Sequence, residues 1–144
     1  MNSSCSFRVA LTTWETSAPH LGALRREVFV LEQAVPESLE MDGRDEECVH
    51  ALAEDLAGRV IGTARLLPEG RIGRVAVRQD WRGRGVGAAL MRALMKAADS
   101  RGLPVLELHA QSWTVAFYEK LGFVAEGEEF EEAGIQHRVM FLRR

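Results

Sequence analysis

Three glycines at alternate positions, interleaved with two arginines, form the segment Arg82-Gly83-Arg84-Gly85-Val86-Gly87. Upstream, residues 72–77 (Ile-Gly-Arg-Val-Ala-Val) make a short, apolar, β-branched run that reads as a buried strand. Downstream, Val86, Ala89, Leu90, Ala93, Leu94 and Ala97 recur every three or four residues, which predicts one face of an amphipathic helix. Glycine lacks a Cβ, so a ligand can approach the backbone closely and positive φ costs little. A helix that begins here directs unpaired N–H groups, and the positive end of its dipole, into the gap. Strand, glycine loop and helix N-terminus together predict an anion site, most often one for phosphate. Arg82 and Arg84 add positive charge at its rim. A plain strand-to-helix turn needs fewer glycines than this.

Three kinds of phosphate loop compete. The nucleoside-triphosphate loop requires a lysine after its glycines, and none follows here. The dinucleotide fingerprint is formally met by Gly83, Gly85 and Ala88, with Glu107 at a suitable distance. However, residues 79–82 separate the strand from the glycines where that motif wants a tight turn, and Glu107 falls inside the run 105–108 instead of at a strand end. Too little chain remains for a full dinucleotide-binding sheet. Arg82-x-x-Gly85-x-Gly87-Ala88, by contrast, resembles the signature of the GCN5-related N-acetyltransferase (GNAT) superfamily, which cradles the pyrophosphate of acetyl-CoA in this way.

Size and composition agree with one globular domain over residues 1–144, with 47% hydrophobic residues to build a core. No apolar run approaches the length of a membrane span. The polar start, residues 1–6, lacks the pattern of an export signal. Two cysteines, Cys5 and Cys48, make no disulfide framework and suit a reducing cytoplasm. A net charge of −3 argues against general nucleic-acid binding, which wants a basic face.

In chain order, residues 7–12 alternate as a first strand. Ser17 is expected to cap a helix with Pro19 in its first turn and Leu21, Leu24, Val28 and Leu31 on its buried face, ending at Val35-Pro36. Residues 37–47 are polar and acidic, with Asp42-Gly43 as a turn. They read either as a solvated loop or as a negative mouth that attracts a cationic amine. Residues 48–54 and 59–67 predict a hairpin that continues through Pro68-Glu69-Gly70 into the strand before the glycines. Residues 105–110 form a second buried strand, entered by a crossover and therefore parallel to strand 71–77. A short helix over 115–121 closes at Gly122. Strands at 123–127 and 137–142 follow, joined by an acidic connection over 126–133.

The resemblance extends over most of the chain. Tyr118-Glu119-Lys120-Leu121-Gly122-Phe123 is similar to the second half of the second acetyltransferase motif, whose first half departs here, with Gln111 for an asparagine and Thr114 for an alanine. Residues 24–36, Asp42-Gly43, His50, His109-Ala110-Gln111 and residues 134–137 resemble the small bacterial ElaA-like branch, which itself has glutamine at the 111 position. The resemblance implies an α/β GNAT fold: a central mixed, mostly antiparallel sheet of about seven strands flanked by about four helices. It implies acetyl-CoA as cosubstrate, a primary amine as acceptor and no metal, and it is compatible with a homodimer.

The implied reaction is acyl transfer from a thioester to an amine, and it has three needs. The departing sulfur needs a proton donor. A tyrosine hydroxyl, ordinarily near pKa ~10, can serve, and Tyr118 matches the position that serves in the family. The thioester carbonyl needs polarising donors, which the resemblance places on backbone N–H groups of Val75, Ala76 and Val77, with Val77 the carbonyl donor. The cofactor contacts it implies continue through Arg82, Gly83, Arg84, Gly85, Val86, Gly87 and Ala88 to Gln111, Thr114 and Phe117. Thirdly, the amine must be neutral, which for a lysine-like group costs roughly 4–5 kcal/mol at pH 7. Where some relatives carry a basic glutamate this chain has Arg71, which cannot serve. Glu32, Glu107, His109 and His137 remain candidates for the base, and Glu32, Gln33, His109 and His137 for the acceptor site.

Other chemistries lack their residues. Cys48-x-His50 has no second pair at ligand spacing for zinc, and there is no Gly-x-Ser-x-Gly elbow. Cys5 sits too near the terminus for a nucleophile. Trp14, Trp81 and Trp113 are scattered, with Trp81 read as core cover. Two other functions stay open at this level, a CoA-binding sensor without turnover and a dinucleotide-dependent oxidoreductase.

Overall fold

Among residues 6–144, which the computed structural model describes, seven strands and four α-helices form. Cys5 lies outside the described residues. Strands β1 (Phe7–Thr12), β2 (Val49–Asp55), β3 (Val60–Leu66), β4 (Arg71–Val77), β5 (Val105–Gln111), β6 (Val124–Glu132) and β7 (Ile135–Arg143) make one sheet in the order β1-β2-β3-β4-β5-β7-β6. Every neighbouring pair is antiparallel except β4 and β5, which run parallel because the crossover helix lies between them. This is the mixed, mostly antiparallel α/β arrangement that the resemblance implied. No helix among the described residues is long and apolar enough to cross a membrane.

The helices are α1 (Trp14–Arg25), α2 (Glu37–Glu40), α3 (Val86–Ser100) and α4 (Val115–Glu119). Helix α3 buries Val86, Leu90, Leu94 and Ala97 of the predicted stripe, with Met91 and Ala98 in addition while Ala89 and Ala93 are half-buried, against the face of the sheet that carries Ala53 and Gly62. Gly62 has no alternative here, since a Cβ on it would meet Val86 Cγ1 at 2.8 Å and Leu90 Cδ1 at 3.0 Å. Helix α1 covers the opposite face, where His50 stacks on Trp14 and Ala76 packs with Leu24 and Val28.

Four local expectations need correction. Leu31, read as part of the buried face of the first helix, is 68% exposed. Helix α1 is capped by Thr13, whose Oγ1 accepts from Thr16 N at 3.2 Å, and not by Ser17. Ser17 instead is buried and bonds Thr12 Oγ1 at 2.7 Å, and Pro19 sits one turn further in. Thr13 wins because it is the first residue after β1 able to cap, so the helix can start at once. Beyond Arg25 the helix widens into a π-helical stretch, Arg26–Glu32, with Gln33 N bonding Val28 O at 3.1 Å. The acidic connection expected over 126–133 is mostly strand. β6 runs to Glu132, bulges near Gly127 (φ 79°), and turns into β7 through Ala133 and Gly134, both at positive φ.

Candidate active site

Strands β4 and β5 pair only at Arg71↔Glu107 and Ile72↔Leu108 and then separate. The cause lies in β4. Three steps along it, from Gly73 to Ala76, match two along β3, and Arg74 takes up the extra residue at φ 52°. The arginine holds this left-handed conformation while its guanidinium bonds the carbonyls of Leu39 and Glu40. Past the bulge, Arg78 N donates to Ile61 O on β3, so by strand alternation the N–H groups of Val77 and Val75 face the open side. The separation opens a cavity of about 920 Å³.

The glycine loop forms one wall. A 3₁₀ turn, Gln79–Trp81, leads from β4 into it, so the loop does not spring directly from the strand as a dinucleotide fingerprint would. Gly83 (φ 76°) and Gly85 (φ 84°) are left-handed, and Gly85 caps α3 without a side chain. The first helical bond is Ala89 N to Gly85 O, which leaves the amides of Val86, Gly87 and Ala88 unpaired at the cavity. These residues fit a polyanion, and a Cβ on Gly83 or Gly85 would meet no protein atom within 4 Å.

Val75, Ala76, Val77, Arg82, Gly83, Gly85, Val86, Gly87, Ala88, Gln111, Thr114, Phe117 and Tyr118 all line the cavity, as do Glu32, Gln33, His109 and His137. Arg84 does not. Its guanidinium stacks 4.8 Å above the ring of Trp81, which is itself buried as core cover. Arg82 pairs with Glu32, and that hydrogen bond holds the Glu32 carboxyl below the usual range, which unsuits Glu32 as a base. Gln111 bridges the cavity to Gln33, donating to its Oε1 at 2.9 Å, and Trp113 Nε1 donates back to Gln111 Oε1 at 2.8 Å.

Tyr118 is 9% exposed, packed edge-on against Phe117 and Phe123. Burial pushes its hydroxyl up to about 12. His109 Nδ1 lies 2.9 Å from Glu132 Oε1 and 2.9 Å from Arg71 Nη2. The bond to His109 holds Glu132 below the usual carboxylate range. His137 donates Nδ1–H to Ile135 O at 2.7 Å, and its ring lies against Phe130.

The acidic stretch 37–47 is exposed over most of its length, as the solvated reading has it, but two of its acids turn inward. Glu40 and Asp45 are buried, and both bond Arg25, with Asp45 Oδ1 2.6 Å from its Nη1. Arg65 bonds Asp42 and Asp45, and Arg74 pairs with Glu40 and Asp42. Burial pushes Asp45 up, yet the hydrogen bond and charge of Arg25, then of Arg65, outweigh it. The arginines were scattered at 25, 65 and 74, so nothing local marked this neutralisation. Arg71 was singled out only as unable to serve as a base, with no role at the site, and Glu132 was missed; it lies on β6, in a stretch read as a connection.

The sheet parts between its two parallel strands, with bare helix-start amides at one wall and a buried tyrosine in the same cavity, an arrangement that defines an α/β fold with an anion site beside an open strand edge. The chain belongs to the GNAT acetyltransferase family, whose acetyltransferase domain model matches residues 15–144. Among its relatives, the uncharacterized N-acetyltransferase YjcF of Bacillus subtilis is 38% identical over 121 residues, spanning 81% of this chain and 86% of that one. The crystal structure of an acyl-CoA N-acyltransferase from Pseudomonas aeruginosa is similar at TM-score 0.84 and 33% identity, over 95% of this chain and 99% of that one. Escherichia coli ElaA is similar at TM-score 0.85 and 29% identity, over 94% of this chain and 99% of its own.

Proposed function

We propose that this protein transfers an acetyl group from acetyl-CoA to a primary amine, by direct attack in a ternary complex without a covalent enzyme intermediate. The parting of β4 from β5 carries the reading, because it joins the unpaired amides of the glycine loop and Tyr118 within one cavity. Family membership and the similar P. aeruginosa acyl-CoA N-acyltransferase support it. In this reading the pyrophosphate sits on the amides of Val86, Gly87 and Ala88, where the helix dipole favours negative charge. The pantetheine arm lies along the free edge of β4, bonded to Val75 and Val77, between the loop and Gln111, Thr114 and Phe117.

The neutral amine attacks the thioester carbonyl, and Val77 N–H stabilises the oxyanion that develops. The C–N bond forms and the C–S bond breaks. Tyr118 donates to the departing sulfur as general acid, and the proton shed by the amine restores the phenol, so one N–H is exchanged for one S–H. A phenol at about 12 facing a thiol near ~8.5 holds its proton firmly, so its donation follows the build-up of charge on sulfur.

Calorimetric titration and a free-thiol assay over an amine panel test the reading. Acetyl-CoA should bind, and amines should trigger CoA release. Tight NADH or NADPH binding without response to CoA would overturn it. Acetyl-CoA binding without release for any amine would leave a CoA-binding module.

A further inference from the structure

Three strands bring Arg71, His109 and Glu132 together on the cavity wall, just past the point where β4 and β5 part. Arg71 Nη2 and Glu132 Oε1 each lie 2.9 Å from the same atom, His109 Nδ1. A guanidinium only donates and a carboxylate only accepts. A ring nitrogen carries either a proton or a lone pair, so His109 Nδ1 serves Glu132 or Arg71 but never both at once. Whichever form the ring takes, one charge on the wall lacks its hydrogen bond. The second ring nitrogen does not relieve this, since Nε2 faces Glu107 Oε2 at 3.4 Å.

The other arginines on the cavity wall are paired: Arg44 with Glu47 and Glu69, Arg65 with Asp42 and Asp45, Arg74 with Glu40 and Asp42, and Arg82 with Glu32. Arg71 has no carboxylate within ion-pair distance among the described residues, and its recorded partner is the imidazole. A fork of donors therefore faces the cavity with an acceptor still to be supplied.

We propose that the acceptor is a small amine that bears its own carboxylate, an amino acid, with the carboxylate on Arg71 and the amine toward Glu132. This rests on the reading of the cavity as an amine acetyltransferase site. An amino acid brings an acceptor-only group to Arg71 and an N–H donor to Glu132, so both wall charges are satisfied for either form of His109. A polyamine or an aminoglycoside would satisfy Glu132 while setting positive charge against Arg71, which disfavours it.

The test compares amino acids with the amines left by their decarboxylation, lysine with cadaverine and phenylalanine with phenethylamine, in CoA release from acetyl-CoA. The carboxylate-bearing member of each pair should show kcat/KM higher by roughly tenfold or more, the range expected for a hydrogen bond between charged groups. In Arg71→Gln that ratio should collapse toward one, with Arg71→Lys intermediate. Equal or reversed preference in the unaltered protein, or an unchanged ratio in Arg71→Gln, overturns the assignment. Should the variant not fold, the matched pairs on the unaltered protein decide alone. Thermal unfolding of the CoA-loaded protein with the same compounds separates the two readings. A stabilising shift from the amino acids but not from their decarboxylated partners supports the Arg71 anchor even if no turnover occurs, in which case only the transferase reading falls. No shift and no turnover with the amino acids overturns the anchor.

Discussion

Arg82 holds both carboxylate oxygens of Glu32, with Nη1 2.5 Å from Oε2 and Nη2 2.8 Å from Oε1, while its Nε donates to Val77 O at 2.9 Å. One side chain thus ties the glycine loop to the π-helical stretch on one side and to the end of β4 on the other. The arginine that a sequence reader assigns to the phosphates is already engaged within the protein.

Glu32→Gln should weaken this tie by removing its charge, at little cost to stability. Both partners are about one-third exposed, with side-chain exposures of 37% and 34%, and such pairs contribute at most ~1 kcal/mol. Arg82 keeps its bond to Val77 O but its terminal nitrogens are held less tightly and can turn toward the phosphates, so calorimetry should find acetyl-CoA affinity undiminished in Glu32→Gln. A large loss of affinity would mean that the tie itself shapes the site.

Tyr118→Phe should keep the ring contacts with Phe117 and Phe123 and leave the unfolding temperature nearly unchanged. It should lower kcat by roughly 10²-fold or more, the usual range for a general acid, with acetyl-CoA affinity retained. Because burial holds the hydroxyl near 12, the unaltered enzyme should show no loss of rate from tyrosine ionisation up to about pH 10. Equal losses in kcat and affinity would remove the acid role.

Gly87→Val should abolish acetyl-CoA binding. A Cβ at Gly87 already meets Phe117 Cζ at 3.3 Å, so the branched side chain must displace the Phe117 ring or fill the phosphate space. Gly85→Ala acts differently, since its Cβ meets no protein atom within 4 Å but its φ of 84° is left-handed. That strain should cost about 1–2 kcal/mol, read by denaturant unfolding. Intact affinity in Gly87→Val would show the cradle to be assigned wrongly.

Arg25→Ala should destabilise the protein by about 2–4 kcal/mol at pH 7, because buried Glu40 and Asp45 lose the partner they share and keep only Arg74 and Arg65. Its pH dependence follows from the carboxylates. The hydrogen bond from Arg65 holds Asp42 far below the usual range, and Arg25 outweighs burial to lower Asp45. A carboxyl depressed in the folded state stabilises it above the unfolded pKa of about 3.9 and loses that contribution as pH falls through the folded value. The unaltered protein should therefore hold its stability from neutral pH down to about 4 and lose it below, whereas Arg25→Ala, whose buried carboxyls are no longer held down by Arg25, should lose less over the same interval. Urea unfolding at several pH values measures both limbs, and coincident limbs would sink this account.

Much of the fold could be read from local pattern. The apolar spacing of α3, the hairpin of β2 and β3, the glycine loop and the Tyr118 segment each carry their signal within some fifteen neighbouring residues, which is the reach of helical and strand periodicity. The errors came where a residue's partner is remote. Acidity at 37–47 read as a solvated loop or a negative mouth, and neither reading showed that Arg25, Arg65 and Arg74 from three other elements pair with Glu40, Asp42 and Asp45. Acidity at 126–133 read as a connection, although β7 pairs with most of it to make a strand.

The sequence by itself determined the order of elements, the bare helix start at Val86 and the presence of one tyrosine in a recognisable motif, because backbone conformation there answers to nearest neighbours. Only the tertiary structure decided that Arg74 bulges β4 away from β5, that Arg82 binds Glu32, and that Arg71 and Glu132 converge on a single nitrogen of His109. Those are contacts between side chains 23 to 50 positions apart. Sheet register sets them, and register depends on how strands pair across the whole molecule.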